Sequence, residues 1–423
     1  MPNSIALINA RLIDPATGTD QTGAILVSSK KIQAVGDIDQ NNADQIIDCK
    51  GKVLCPGLVD MRVHLSEPGN EHRETIAETA AVAVNGGVTS VVGLPDTDPT
   101  TDSVPVLEFI ARRGREAKAA KIYAYGAITI GMAGKELTEM GLLTEAGAVG
   151  FSDVDNTLTD TVVMSRALTY SKIFDQTLIN FPLEPGLSTG VMNKGELSTR
   201  LGLGGIGTTP EVLQIERDIR LAEMTGGNLH LGPITCHEAV EAIRAAKDKG
   251  IKITASTAPH YFSLNETTIG DYRTFGKFLP PLRDEFNRRA VAEAVADGTI
   301  DVIVSDHHPH DPDSKRLPFA QASFGAVGLE TLLPMSLRLY HEGLISLPDL
   351  LSRLPDSPAS IVKIKAGSLE VGAPADLTLF DPDKPYKFEP DLLTSKCKNT
   401  PYEAFPLQGQ VLMTLVDGRI LKQ

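Results

Sequence analysis

The chain is predicted to be an α/β protein built on a (β/α)8 barrel, with a small β-sandwich assembled from its two ends. Three observations predict this. The middle alternates short apolar runs with helical patterns, as βαβ units do. Both ends instead carry strands separated by turns. The length, 423 residues, suits a barrel with a second small domain. The expected division is a sandwich from 1–57 together with 367–423, and a barrel over 58–366.

The N-terminal strands are read at Ile5–Ile8 and Ala24–Val27, parted by the turn Asp14-Pro15-Ala16-Thr17-Gly18. The same texture returns in Leu377–Phe380 and Gln410–Val416, with Gly372-Ala373-Pro374 as a turn before the first. Eight barrel strands are expected at 58–65, 89–94, 122–128, 149–153, 177–180, 229–234, 252–257 and 301–306. Helices are expected between them, among them 74–85, 215–224 and 238–249. In such a barrel the chemistry sits at the C-terminal ends of the strands.

Bulk composition excludes several classes. Hydrophobic residues make up 42% and charged residues 22%, ordinary for a globular domain. A net charge of −14 argues against nucleic acid and anionic membranes as partners. The four cysteines (Cys49, Cys55, Cys236, Cys397) form no CxxC pair, so they read as small buried hydrophobes in a reducing cytosol. No apolar stretch is long enough to span a bilayer, and Met1-Pro2-Asn3-Ser4 does not open a signal peptide. A cytoplasmic protein is expected.

Six motifs carry a specific resemblance. They are His64-Leu65-Ser66-Glu67-Pro68-Gly69 with Glu74-Thr75-Ile76, and Leu94-Pro95-Asp96-Thr97-Asp98-Pro99. Next come Asn193-Lys194-Gly195-Glu196 with its continuation to Leu203, and Lys277-Phe278-Leu279-Pro280-Pro281-Leu282-Arg283. Asp306-His307-His308-Pro309-His310 and Phe324-Gly325-Ala326-Val327-Gly328-Leu329-Glu330 complete them. In order and spacing the chain resembles the dihydroorotases of the long bacterial type, within the amidohydrolase superfamily, over essentially its whole length.

That resemblance implies a zinc site, and the site is altered. The family's first-strand His-x-His stands here as Arg62 and His64. A guanidinium has no lone pair to give a metal. The resemblance places further ligands at Asp153, Phe181, Pro233 and Asp306, the last also the general base. Three of the six positions, His64, Asp153 and Asp306, keep a donor; Arg62, Phe181 and Pro233 do not. Substrate positions differ too: Ser66 replaces the family's carboxylate-clamping Arg, while Asp96 and Leu279 replace two Asn. His310 stands where the family has a ligand-binding His.

These changes lead to the expectation of no metal or other cofactor, no catalytic residue and no substrate-binding residue. His64, Asp153, Asp306 and His310 would be vestigial. Arg62 is expected to pair with Asp153 or Asp306, replacing the charge of an ion. His307-His308-Pro309-His310 reads as a strand-to-helix loop, and Arg112-Arg113-Gly114-Arg115 with Lys118 as a solvated helix face. By the resemblance, the expected role is a catalytically inactive subunit, oligomeric itself, that assembles with aspartate carbamoyltransferase in pyrimidine synthesis. The alternative is a mononuclear or metal-free amidohydrolase acting on a cyclic amide, with His64, Asp153, Asp306 and His310 as its apparatus.

Overall fold

A computed structural model describes residues 4–39 and 43–423; Met1–Asn3, part of the signal-peptide reading, lie outside them. The chain begins with β1 (Ser4–Asp14), β2 (Thr19–Ser28), β3 (Lys31–Gly36), β4 (Gln45–Asp48) and β5 (Val53–Pro56). The barrel follows: β6 (Leu58–Val63), β7 (Val88–Gly93), β8 (Lys121–Ala124), β9 (Phe151–Ser152) and β10 (Thr177–Asn180). A short excursion, β11 (Met192–Asn193) with β12 (Gly205–Ile206), precedes β13 (Asn228–Leu231), β14 (Ile253–Thr257) and β15 (Val302–Ile303). The chain ends with β16 (Leu377–Lys387), β17 (Pro406–Val416) and β18 (Arg419–Lys422).

The eight barrel strands run parallel, in the order β6-β7-β8 and β9-β10-β13-β14-β15. Two parallel bridges close the ring. Gly126 pairs with Phe151 between the third and fourth strands, and Val63 with His307 between the first and eighth. All eight overlap the apolar runs that predicted them; β10 coincides with its run, β7 is shifted by one residue, and the other six are shorter. The eighth is the shortest relative to expectation, two residues against six, and beyond it Asp306 takes a positive φ of 51°. β6, β7, β9, β10 and β15 are buried throughout, as parallel strands wrapped by helices tend to be, while β8 is only half-buried at Lys121–Tyr123. Helix starts are locally encoded: Thr75 and Glu78 form a capping box before Ile76–Asn85.

The terminal strands form one hydrogen-bonded path, β18-β17-β16-β5-β1-β2-β3, with β4 beside β1. Leu7, Ile25 and Val27 from one end share a core with Leu377, Leu379, Met413 and Leu415 from the other. The path therefore folds over and buries its own inner face. Strand β5 leads directly into β6, so this unit feeds the first barrel strand. All four cysteines are buried and free. Among the described residues no helix is long and apolar enough to cross a membrane.

Candidate active site at the barrel mouth

Arg62 and His64 leave the C-terminal end of β6 two residues apart and so point to the same side. Both are 4% exposed. Arg62 Nε donates to Asp306 Oδ1 at 2.8 Å, and Nη2 donates to Asp155 Oδ1 at 2.6 Å. The guanidinium also lies over the Phe181 ring, 5.6 Å from its centroid. The expected ion pair is thus present with Asp306 and absent with Asp153. Asp153 instead accepts from the backbone N–H of Ile128 and Thr129 through Oδ1, and from Thr129 Oγ1 through Oδ2. Burial raises the Asp153 carboxyl to about 6 against these bonds. The cation's second partner, Asp155, carried no signal in the sequence beyond its departure from the family motif.

Burial works to raise the Asp306 carboxyl, but Arg62, with His260 and His64, outweighs it and holds the pKa below its ordinary value. His260 Nε2 lies 3.7 Å from Asp306 Oδ2, and its ring stacks on Phe278 at 4.1 Å. Burial pushes His260 down to about 4, so it is neutral near pH 7. His260 was not foreseen; it lies on the short helix Pro259–Ser263 just after β14, where a barrel places catalytic groups.

Asp96, expected only as an altered substrate position, makes the shortest contact of His64: Nδ1 to Oδ2 at 2.6 Å. Burial opposes charge on His64, yet Asp96 outweighs it and raises the pKa. His64 stacks on His308 at 3.7 Å, and His308 meets His310 at 4.2 Å. His310 Nε2 donates to the Phe324 carbonyl at 2.6 Å, leaving Nδ1 as an acceptor, and burial lowers this imidazole to about 3. His307 is structural: Nε2 bonds Glu74 at 2.9 Å, and Nδ1 accepts from Gly328 N–H at 3.1 Å.

The remaining positions are apolar or committed elsewhere. Phe181 is 2% exposed and packs with Leu183, Ile206 and the half-buried Leu279. Pro233 is buried beyond β13. His230, which precedes it, bonds Thr254 and Ser256 through its two nitrogens. Burial pushes it down to about 3. Ser66 is buried at the same rim as His64.

These residues do not fit the two zinc ions that the resemblance implies. A fixed cation stands at Arg62, both Asp153 oxygens are occupied, and Phe181 and Pro233 offer no donor. Among the described residues no three His, Cys, Asp or Glu are grouped to hold an ion.

What the mouth does offer is unmet hydrogen bonding. Arg62 Nη1, Arg73 Nε, Asp96 Oδ1, His260 Nε2 and His310 Nδ1 are all buried without a partner. Arg73 was also missed by the sequence reading; its charge bears on both His308 and His310. Buried polar atoms left unpaired are costly, and several at one place mark a ligand position.

The comparisons place the fold and the family. A family profile described as dihydro-orotase-like matches residues 51–239, and the amidohydrolase family profile matches 228–421. A dihydroorotase of Syntrophotalea carbinolica is 41% identical, over 98% of each chain. One of Syntrophus aciditrophicus is also 41% identical, over 99% of each. Among solved structures, the L-hydantoinase (dihydropyrimidinase) of Arthrobacter aurescens superposes with a TM-score of 0.88 at 22% identity. That superposition covers 100% of this chain and 96% of the other. The barrel is therefore that of an amidohydrolase, and the chain belongs to the dihydroorotase family.

The same relatives correct the expected role. Chains about 40% identical over nearly their whole length are named for the enzyme. This overturns the expectation of an inactive subunit kept only for assembly with aspartate carbamoyltransferase. That expectation equated lost zinc ligands with lost chemistry. It did not consider the Asp96–His64 pair, Arg73 or His260.

Proposed function

We propose that this chain is a ring-amide hydrolase of the dihydroorotase class, acting at the barrel mouth on a cyclic ureide, with dihydroorotate as the substrate its relatives' names indicate. The observation that carries the reading is Arg62 Nη1, a buried cationic donor with nothing to donate to, beside an Asp-backed histidine. A cyclic ureide offers carbonyl acceptors and N–H donors. The mouth offers matching donors in Arg62 and Arg73 and acceptors in Asp96 and His310.

The roles follow from the geometry. His64, its Nδ1–H held by Asp96, leaves Nε2 as the base that takes a proton from water. The hydroxide so formed attacks the ring carbonyl, and Arg62 Nη1–H meets the developing oxyanion. The tetrahedral centre collapses, the ring C–N bond breaks, and the proton passes from His64 to the departing nitrogen. Ring closure is the reverse, with protonated His64 as acid. Asp306 and Asp155 hold Arg62 in place. Arg73 binds the substrate carboxylate, the role that the family gives to the position here occupied by Ser66. No metal enters this scheme, because the donor set does not suit one.

The test is interconversion of dihydroorotate and carbamoyl aspartate by protein purified from a host lacking its own dihydroorotase. Turnover that survives chelators and is lost in His64→Gln and Arg62→Met is expected. Absence of turnover in both directions overturns the proposal, as does turnover that requires added zinc.

A further inference from the structure

At the opposite end of the barrel, where β8 begins, a groove of about 760 Å³ lies between the helix Val104–Ala117, β8 and the β17–β18 turn. Its volume is that of a small-molecule site. Helix and strand touch closely beside it: a Cβ at Gly114 would stand 2.7 Å from the Ile122 Cβ. Ala119, Ile122, Tyr123 and Ala146, all half-buried, supply apolar lining.

The rim is basic, in a chain whose net charge is −14. Lys30, Arg115, Lys118, Lys121 and Arg419 line the groove, with Asp417 as the one acidic lining residue. Asp417 is already committed, lying 2.9 Å from Lys121 Nζ, and Asp376 lies 2.7 Å from the same atom. Among the described residues, Lys30, Arg115 and Lys118 have no acidic partner. Arg115 and Lys118 at a helix C-terminus are explained by the helix dipole. Lys30 is not, since it lies in the β2–β3 turn, and Arg419, at the start of β18, reaches the same end of the helix by donating through Nη2 to the Lys118 carbonyl at 3.3 Å. Three separate segments therefore direct cations at one apolar-floored space.

We propose that this groove binds a nucleoside phosphate, its base against Tyr123 and the apolar floor and its phosphates among Lys30, Arg115, Lys118 and Arg419. An anion alone would need only the rim, and an apolar ligand only the floor. Cations supply charge-assisted bonds to phosphate, and an aromatic face accepts a base. The site lies across the barrel from the mouth and shares no lining residue with it.

Calorimetric titration of the full chain with ATP and with UTP tests this, with tripolyphosphate and uridine as controls. Saturable binding of at least one nucleotide is expected, roughly tenfold or more tighter than either control. The double variant R115E/K118E, checked for an unchanged melting temperature, is expected to weaken it by a similar factor, as is Lys30→Glu on a separate element. His64→Gln should leave it unchanged. No saturable binding of either nucleotide overturns the proposal. So does binding of tripolyphosphate as tight as the nucleotide, or binding that survives both R115E/K118E and Lys30→Glu.

Discussion

Arg62 and Asp306 lie 244 positions apart in the chain and meet at 2.8 Å, joining the end of the first barrel strand to the end of the last. Both are buried, and Asp306 keeps its charge because the guanidinium is there. One contact thus anchors the group proposed to meet the oxyanion and covers the seam where the barrel closes.

Removing the cation strands Asp306 in the mouth. Arg62→Ala is expected to destabilise the fold by about 3–5 kcal/mol, read by equilibrium denaturation. Arg62→Lys should recover only part of this, since an ammonium cannot serve Asp306 and Asp155 with a planar fork. A loss within about 0.5 kcal/mol, the range of an ordinary surface change, would show the pair to be dispensable.

Asp96→Asn tests the histidine base. The amide cannot support a positive imidazole, so the pKa of His64 should fall from its raised position. kcat is expected to drop by about 10²–10⁴ with KM changed far less. A variant that raised KM alone would make Asp96 a substrate contact instead.

Metal content tests the donor-set argument directly. The purified chain dialysed against zinc is expected to retain only substoichiometric metal by elemental analysis. The triple variant R62H/F181H/P233H, which restores imidazoles beside His64, should retain about one ion or more per chain. Stoichiometric zinc in the unmodified chain would contradict the donor-set argument.

Two buried lysines set a pH dependence of stability. Lys277 Nζ donates to the carbonyls of Ala320 and Ala322, and Lys315 Nζ to those of Ser323 and Gly325. Burial depresses Lys277 to about 8; burial and then the charge of Lys277 depress Lys315 to about 7. Between those values and about 10.4, the ordinary lysine value, the unfolded chain binds more protons than the folded one. This contribution to stability therefore rises with pH through that window, and it is lost as pH falls through the folded values. Denaturation at pH 7 and pH 9.5 should show the rise, and Lys315→Met should flatten it. An equal slope in that variant would place the titration elsewhere.

The barrel was legible because each strand is an apolar run of its own. The run at 177–180 was read without error, whereas 301–306 was read too long, since nothing in Val304-Ser305-Asp306 announces a positive φ. Arg62 and Asp306 were legible as a pair because ligands on strands one and eight of a closed barrel must converge. The rest of the site was not. Asp153 was one of two partners expected for Arg62, but the N–H groups of Ile128 and Thr129 claim it through a contact no spacing encodes. Asp155, His260 and Arg73 lie in loops or a one-turn helix, where sequence periodicity carries no direction. Asp96 was read by what it replaced rather than by the imidazole it would reach.

The seam between β6 and β15 also has a kinetic meaning. Its contacts, the Val63–His307 bridge and the Arg62–Asp306 pair, join the most distant parts of the barrel sequence. Closing so long a loop carries a large entropic cost and is expected late, after neighbouring βα units have docked. Interactions formed after the folding barrier slow unfolding without speeding folding. The guanidinium at position 62 thus governs how long the closed barrel persists, while the rate at which it first forms is left to the local units.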